Sequence, residues 1–320
     1  MIGRSALTIA VLALGCVTVC PVPAVAAAAP KVVVTLKPVH ALVAAIMDGV
    51  GQPALLVDGA QSPHTFALKP SGARALATAD VFIRVSPTVE PFTLKAVQAL
   101  PPSVSSLTLV DVSGIKVLEQ RHGGAFEAHA HSENANEHHG EVDGDRSRSD
   151  GHIWLDPENA KVIVDAVTKV LAARDPENAA RYDANALKLR AKIAALETDL
   201  TQELAAIKDK PFIVFHDALQ YFEKRFGLQA AGSITVSPEV QPSAKRLTEV
   251  RHKIAGLSAV CVFAEPGFQP ALVAAVTEGS TAKAGTLDPE GIALQPSSDL
   301  YFDLMRNLAN DMKKCLQPLP

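Results

Sequence analysis

Residues 31–50 read KVVVTLKPVHALVAAIMDGV, and this stretch sets the pattern for the whole chain. A β-branched run, KVVVTL at 31–36, meets Pro38 where a helix can begin, and helical spacing then lasts until Gly49. Branched side chains favour the pleated strand, and proline is tolerated in the first turn of a helix. The pattern recurs. PALLV (53–57), DVFIRV (80–85) and SLTLVDV (106–112) are expected strands, separated by helical stretches near 70–78 and 89–100. After residue 209, PFIVF (211–215), LQAAGSITV (228–236), AVCVFAE (259–265) and AGTLDP (284–289) alternate with helical segments again. Such alternation predicts an α/β fold with parallel sheets and helices on their faces.

Between the two series lies HIWLDPENAKVIVDAVTKVL (152–171), where Asp156 can cap a helix, Pro157 fits its first turn and Glu158 favours its positive end. A second helical run, 176–208, has little to stop it and is long enough to span a domain. The simplest organisation is an α/β half over 31–175, a linking helix over 176–208, and a second α/β half over 209–320. No internal sequence repeat is visible.

The chain has 320 residues and a formal net charge of −4, with no Lys/Arg stripe, which gives no reason to expect nucleic acid. There is no GxxxxGK[ST] phosphate loop. The first thirty residues carry Arg4, an apolar run from about Ala6 to Val19, and small residues ending in AVA at 24–26. This is the plan of a secretory signal peptide cleaved after residues 26–28. The apolar run falls short of the roughly 20 residues of a membrane anchor. Acylation at Cys16 or Cys20 is the lipoprotein alternative. Export leaves Cys261 and Cys315, most simply one disulfide closing a loop of about 55 residues, worth roughly 4 kcal/mol at most. The competing reading is a thiolate metal site or a catalytic cysteine.

Four polar residues stand after expected strands or at the turns that follow them, where open parallel sheets bind ligands. His216 directly follows PFIVF, His64 follows PALLV, His152 opens the HIWLDP turn and Asp288 follows AGTL. Three imidazoles with a carboxylate or water make a tetrahedral zinc set. A histidine at a strand end is also commonly a hydrogen-bonded turn residue, and Asp288 could cap a turn. His40 and His252 read as ordinary helix-face residues.

VDGAQSPHTFALKPSGARAL, GHIWLDPENA, FIVFHDALQYFEKRFGL, SPEVQPSAKRL, CVFAEPGFQP and GTLDP together resemble the ZnuA-type periplasmic zinc-binding components of bacterial zinc ABC importers, from about Val32 to Cys315. The resemblance implies two Rossmann-like lobes joined by a single long helix, with the metal in the interlobe cleft. It implies Zn²⁺ as transported ligand, held by His64, His152 and His216 with Asp288 or water in fourth place. His216 stands where manganese-binding relatives carry Glu. Several zinc members have Glu immediately before the first histidine, whereas this chain has Pro63 there. Cys261 and Cys315 match a disulfide of the zinc-specific branch. A periplasmic monomer delivering zinc to a membrane permease with its ATPase subunit, and no enzymatic activity, complete the expectation.

Two other readings stand beside it. A secreted zinc hydrolase would share the three-ligand pattern, with Asp217 or Glu265 as base, although no HExxH is present. A metal buffer or adhesin would use the same fold without transport. The segment from about 115 to 151 cannot bury enough apolar surface to fold tightly and is expected to be a mobile loop. Its HAHSENANEHHGE stretch (129–141) is expected to capture zinc weakly, through His122, His129, His131, His138 and His139. Ordering such a loop costs affinity that a site built on strand ends does not lose.

Overall fold

The structure of the chain is a computed structural model that describes residues 28–121, 149–235, 238, 241–257, 261–268 and 270–317. The expected signal peptide and the five loop histidines lie outside the described residues. Ten strands and nine α-helices are described. In the first half β1 (Val32–Val34), β2 (Ala54–Leu55), β3 (Val81–Arg84) and β4 (Ser105–Thr108) form a parallel sheet in the order β2-β1-β3-β4. In the second, β7 (Phe212–Val214), β8 (Ala230–Ser233), β9 (Cys261–Ala264) and β10 (Lys283–Thr286) are ordered β8-β7-β9-β10, also parallel. Numbered from its own first strand, each sheet has the order 2-1-3-4, a repeat of topology where the sequence shows no repeat of residues.

The central strands β1, β3, β7 and β9 read as largely apolar runs because both faces of the sheet are covered there, whereas the edge strands β4 and β10 are more polar and partly exposed. Val32, Val34, Val81 and Ile83 join one core, while the intervening Val33 and Phe82 pack the opposite face. Phe212, Val214, Cys261 and Phe263 likewise face the first core, with Ile213 and Val262 on the other side. The strand expected over 106–112 leaves its ladder early. A single 3₁₀ turn at Leu109–Asp111 buries Leu109 and Val110 instead.

Helices α1 (Lys37–Ile46), α4 (Pro157–Arg174) and α9 (Leu300–Leu316) pack around α5 (Ala179–Leu204), the 26-residue spine that links the halves. Tyr182, Ala186, Leu189, Ile193, Leu196, Leu200 and Leu204 recur along α5 every three or four residues, placing one buried stripe against its neighbours. One continuous core therefore runs through both halves. Asp156 caps α4 by accepting from the Glu158 N–H.

Cys261 and Cys315 are bonded, tying β9 to the end of α9 across 54 residues of chain. Substituting both by serine is expected to lower the unfolding free energy by about 2–4 kcal/mol, because the open unfolded chain regains its loop entropy. Denaturant unfolding would read this as a fall in midpoint. An unchanged midpoint would mean that the cross-link does not measurably restrict the unfolded chain.

Candidate metal centre

Three histidines converge between the two sheets. His64 lies in the loop after β2, in a turn closed by the Thr65 N–H donating to the Ser62 carbonyl. His152 follows a short antiparallel hairpin of β5 (Leu118–Glu119) and β6 (Ser149–Asp150). The residue between Asp150 and His152 is Gly151, where a side chain would collide with Ser86 and Val89. His216 stands just beyond β7, a strand flanked on its two sides by β8 and β9. That is the point where the strand order reverses and where open sheets leave a crevice.

His64 Nε2 and His216 Nε2 each lie 3.3 Å from His152 Nε2. Zinc–nitrogen bonds of about 2.0–2.1 Å arranged tetrahedrally have nitrogen–nitrogen edges of about 3.3–3.4 Å. Both separations match that edge. The fourth group is Glu290, whose Oε1 is 3.5 Å from His64 Nε2. Among the described residues these four offer ligand atoms within 4.8 Å of one another, and all four are buried. Among the described residues Glu290 Oε2 has no hydrogen-bond partner, and Oε1 accepts from Ser62 Oγ at 3.1 Å.

Asp288, expected in the fourth place, is turned to another task. Its Oδ1 accepts the Ile292 N–H and its Oδ2 the Ala293 N–H, both at 2.8 Å. The turn it closes passes through Gly291 at φ +70°, a conformation that favours glycine. That geometry swings the carboxylate two residues on into the histidine cluster. Lys37 Nζ donates to the Ile292 and Leu294 carbonyls, and Trp154 Nε1 to the Pro289 carbonyl. The loop carrying Glu290 is therefore held by side chains from the opposite half. The only sequence signal for Glu290 was an acid four residues past the end of β10, which local spacing ranks below Asp288.

Carboxylates surround the site. Asp150 Oδ1 is 2.8 Å from His152 Nδ1, and Glu265 Oε2 is 2.7 Å from His216 Nδ1. Burial pushes the Glu265 and Glu290 carboxyls up to about 8, against the pull of the His216 backbone N–H on the first and of His64 on the second. Asp217, next along from His216, is clamped with Glu223 by the Arg121 guanidinium. Burial pushes Asp217 up to about 6, opposed by that arginine. An open cavity of about 400 Å³ reaches the three histidines between Thr88, Arg121 and Asp217. His40 and His252 stand apart from this group, His40 Nε2 being 2.9 Å from the Pro53 carbonyl oxygen.

Residues 32–315 match the family described as zinc-uptake complex component A, periplasmic. The chain is 44% identical over 306 residues to the high-affinity zinc uptake system protein ZnuA of Brucella abortus strain 2308, covering 89% of this chain and 91% of that protein. Its identity to the protein of the same name from Paracoccus denitrificans is 37% over 299 residues, covering 90% and 92%. A crystal structure of ZnuA superposes with a TM-score of 0.75 at 24% identity, over 90% of this chain and all of that one (100%). The laminin-binding protein Lmb of Streptococcus agalactiae, described as having adhesin and metal transporting activity, gives 0.73 at 22%, over 90% and 100%. At these identities the solved structures carry the fold alone: two α/β lobes, a linking helix and a cleft between.

Proposed function

The chain belongs to the periplasmic zinc-uptake component A family, and from that premise we propose that His64, His152, His216 and Glu290 are the ligands of its cargo. The protein captures Zn²⁺ with high affinity for ABC-type import, as a carrier and not an enzyme. The observation that carries the ligand assignment is the 3.3 Å separation of His152 Nε2 from both His64 Nε2 and His216 Nε2, closed by the buried Glu290 carboxylate, whose Oε1 lies 3.5 Å from His64 Nε2. Nitrogen and oxygen donors in a four-point set suit zinc, whereas calcium and magnesium take all-oxygen shells. Membership of the family also implies a membrane permease and ATPase as partners. The finer picture is ours: a monomer freed from its signal peptide near residues 26–28 docks on the permease, and the segment with His122, His129, His131, His138 and His139 supplies weak accessory capture.

Diffraction at the zinc absorption edge from a zinc-loaded crystal tests the assignment. One anomalous peak is expected among the four side chains. A peak held by Asp288, or by residues elsewhere, would sink it.

The pH dependence follows from the same geometry. In the metal-free protein Glu290 titrates at about 8, so below that pH zinc must displace its proton. The imidazoles must be neutral to bind, so protons compete for them as well. Zinc affinity is therefore expected to begin falling below pH 8 and to steepen towards pH 6. In Glu290→Gln the share of that slope owed to Glu290 should vanish, leaving the decline owed to Glu265, which burial also pushes up to about 8, and to the imidazoles. Competition titrations across this range would read both, and a parent curve flat down to the histidine range would remove Glu290 from the ligand set.

A further inference from the structure

Two of the three histidines are held by the same device. In the first half, Asp150 Oδ1 accepts the His152 backbone N–H at 2.9 Å and lies 2.8 Å from the ring Nδ1. In the second, Glu265 Oε1 accepts the His216 backbone N–H at 3.1 Å, and its two oxygens lie 2.9 and 2.7 Å from the ring Nδ1. Each carboxylate thus grips one histidine at two points, the main chain and the ring, and fixes both its position and its rotation. All four residues are buried.

The two carboxylates come from unrelated places in the chain. Asp150 ends β6, two residues before its histidine. Glu265 follows β9, 49 residues after its own, and reaches His216 because β7 and β9 are neighbours in the sheet. Asp150 is itself fixed across the cleft, its Oδ2 accepting from Gln220 Nε2 at 3.2 Å. Gln220 opens α6 (Gln220–Phe226) in the second half. A carboxylate facing Nδ1 selects the ring tautomer that carries its hydrogen there, which leaves the Nε2 lone pair free and raises its basicity.

Resting on the ligand assignment above, we propose that Asp150 and Glu265 are paired positioning residues that hold His152 and His216 as Nδ1–H tautomers, with both Nε2 lone pairs aimed at the zinc. Neither carboxylate touches the ion. Each acts through one histidine, and the two act independently.

Long-range proton–nitrogen spectra of ¹⁵N-histidine in the metal-free protein, recorded above the histidine titration range, test this directly. In the parent, His152 and His216 are expected as Nδ1–H tautomers; either one found as Nε2–H overturns the proposal. In Asp150→Ala the His152 tautomer should shift with His216 unchanged, and Glu265→Ala should do the reverse. Asp150→Asn and Glu265→Gln keep an acceptor oxygen for the ring and are expected to retain the tautomers. Zinc affinity should fall about 10–100-fold in each alanine variant and less in the amide variants. Both histidines responding alike to either substitution would reveal general loosening and overturn the paired roles. The tautomer readout needs no zinc, so it stands or falls separately from the ligand assignment, which fails instead if His64→Ala binds zinc as tightly as the parent.

Discussion

Substituting His64 and His216 together by alanine is expected to abolish the tight zinc site, while deleting residues 122–148 leaves it in place. A structural zinc site is worth about 10–16 kcal/mol shared among four ligands, so each contributes about 3 kcal/mol. Losing two corresponds to a fall of about 10⁴-fold in affinity, at about 1.4 kcal/mol per factor of ten. The surviving His152 and Glu290 would also lose the 3.3 Å spacing that matches zinc. The deletion must spare Arg121, because its guanidinium binds Asp217 and Glu223 beside the cavity that leads to the histidines. Calorimetric titration of the parent and both variants decides the matter. A tight site that survives the double substitution but disappears with residues 122–148 would move the working site into the histidine-rich segment.

Trp154→Ala is expected to lower stability by about 3–5 kcal/mol and to weaken zinc binding as well. Trp154 is fully buried at 0% exposure, and no neighbouring side chain can fill the space an indole leaves. Its Nε1 donates to the Pro289 carbonyl at 2.9 Å, its own carbonyl accepts from Tyr301 Oη at 3.2 Å, and its ring meets His152 edge-on at 5.3 Å between centroids. One side chain therefore supports a histidine on one side and the loop of Glu290 on the other. Trp154→Phe separates the two contributions: most of the volume remains, but the Pro289 carbonyl loses its donor at a cost of about 1–3 kcal/mol. The phenylalanine variant should unfold nearer the parent yet still bind zinc more weakly. Equal zinc affinity in parent and Trp154→Phe would show that the loop keeps Glu290 in place without this bond.

Much of the architecture was legible from local periodicity. KVVVTL, DVFIRV, PFIVF and AVCVFAE read as strands because both faces of their sheets are covered, so most strand positions are apolar. The run over 176–208 read as one helix because no proline or glycine after Pro176 breaks it, and its buried stripe does recur at helical spacing. His64, His152 and His216 could be singled out for a related reason: a polar residue directly after a strand, or at the turn that follows one, is placed at the sheet's ligand-binding edge wherever the strand lies. The motifs that resembled a zinc-importer component pointed the same way, and membership of that family is shown by the match over 32–315.

What tertiary structure decided were distances between residues far apart in the chain, on which periodicity is silent. Asp288 and Glu290 are equally acidic and two residues apart; backbone N–H groups claim the first, and the left-handed Gly291 turn aims the second. Glu265 reaches His216 only through the pairing of β9 with β7, and Asp150 reaches Gln220 only across the cleft. The chain by itself determined the kinds of element and the ligand types they present. The folded arrangement alone determined which carboxylate meets the three histidines at their Nε2 side and which ones sit at their Nδ1 side, because a shift of one turn residue or one strand neighbour moves a carboxylate farther than a hydrogen bond can reach.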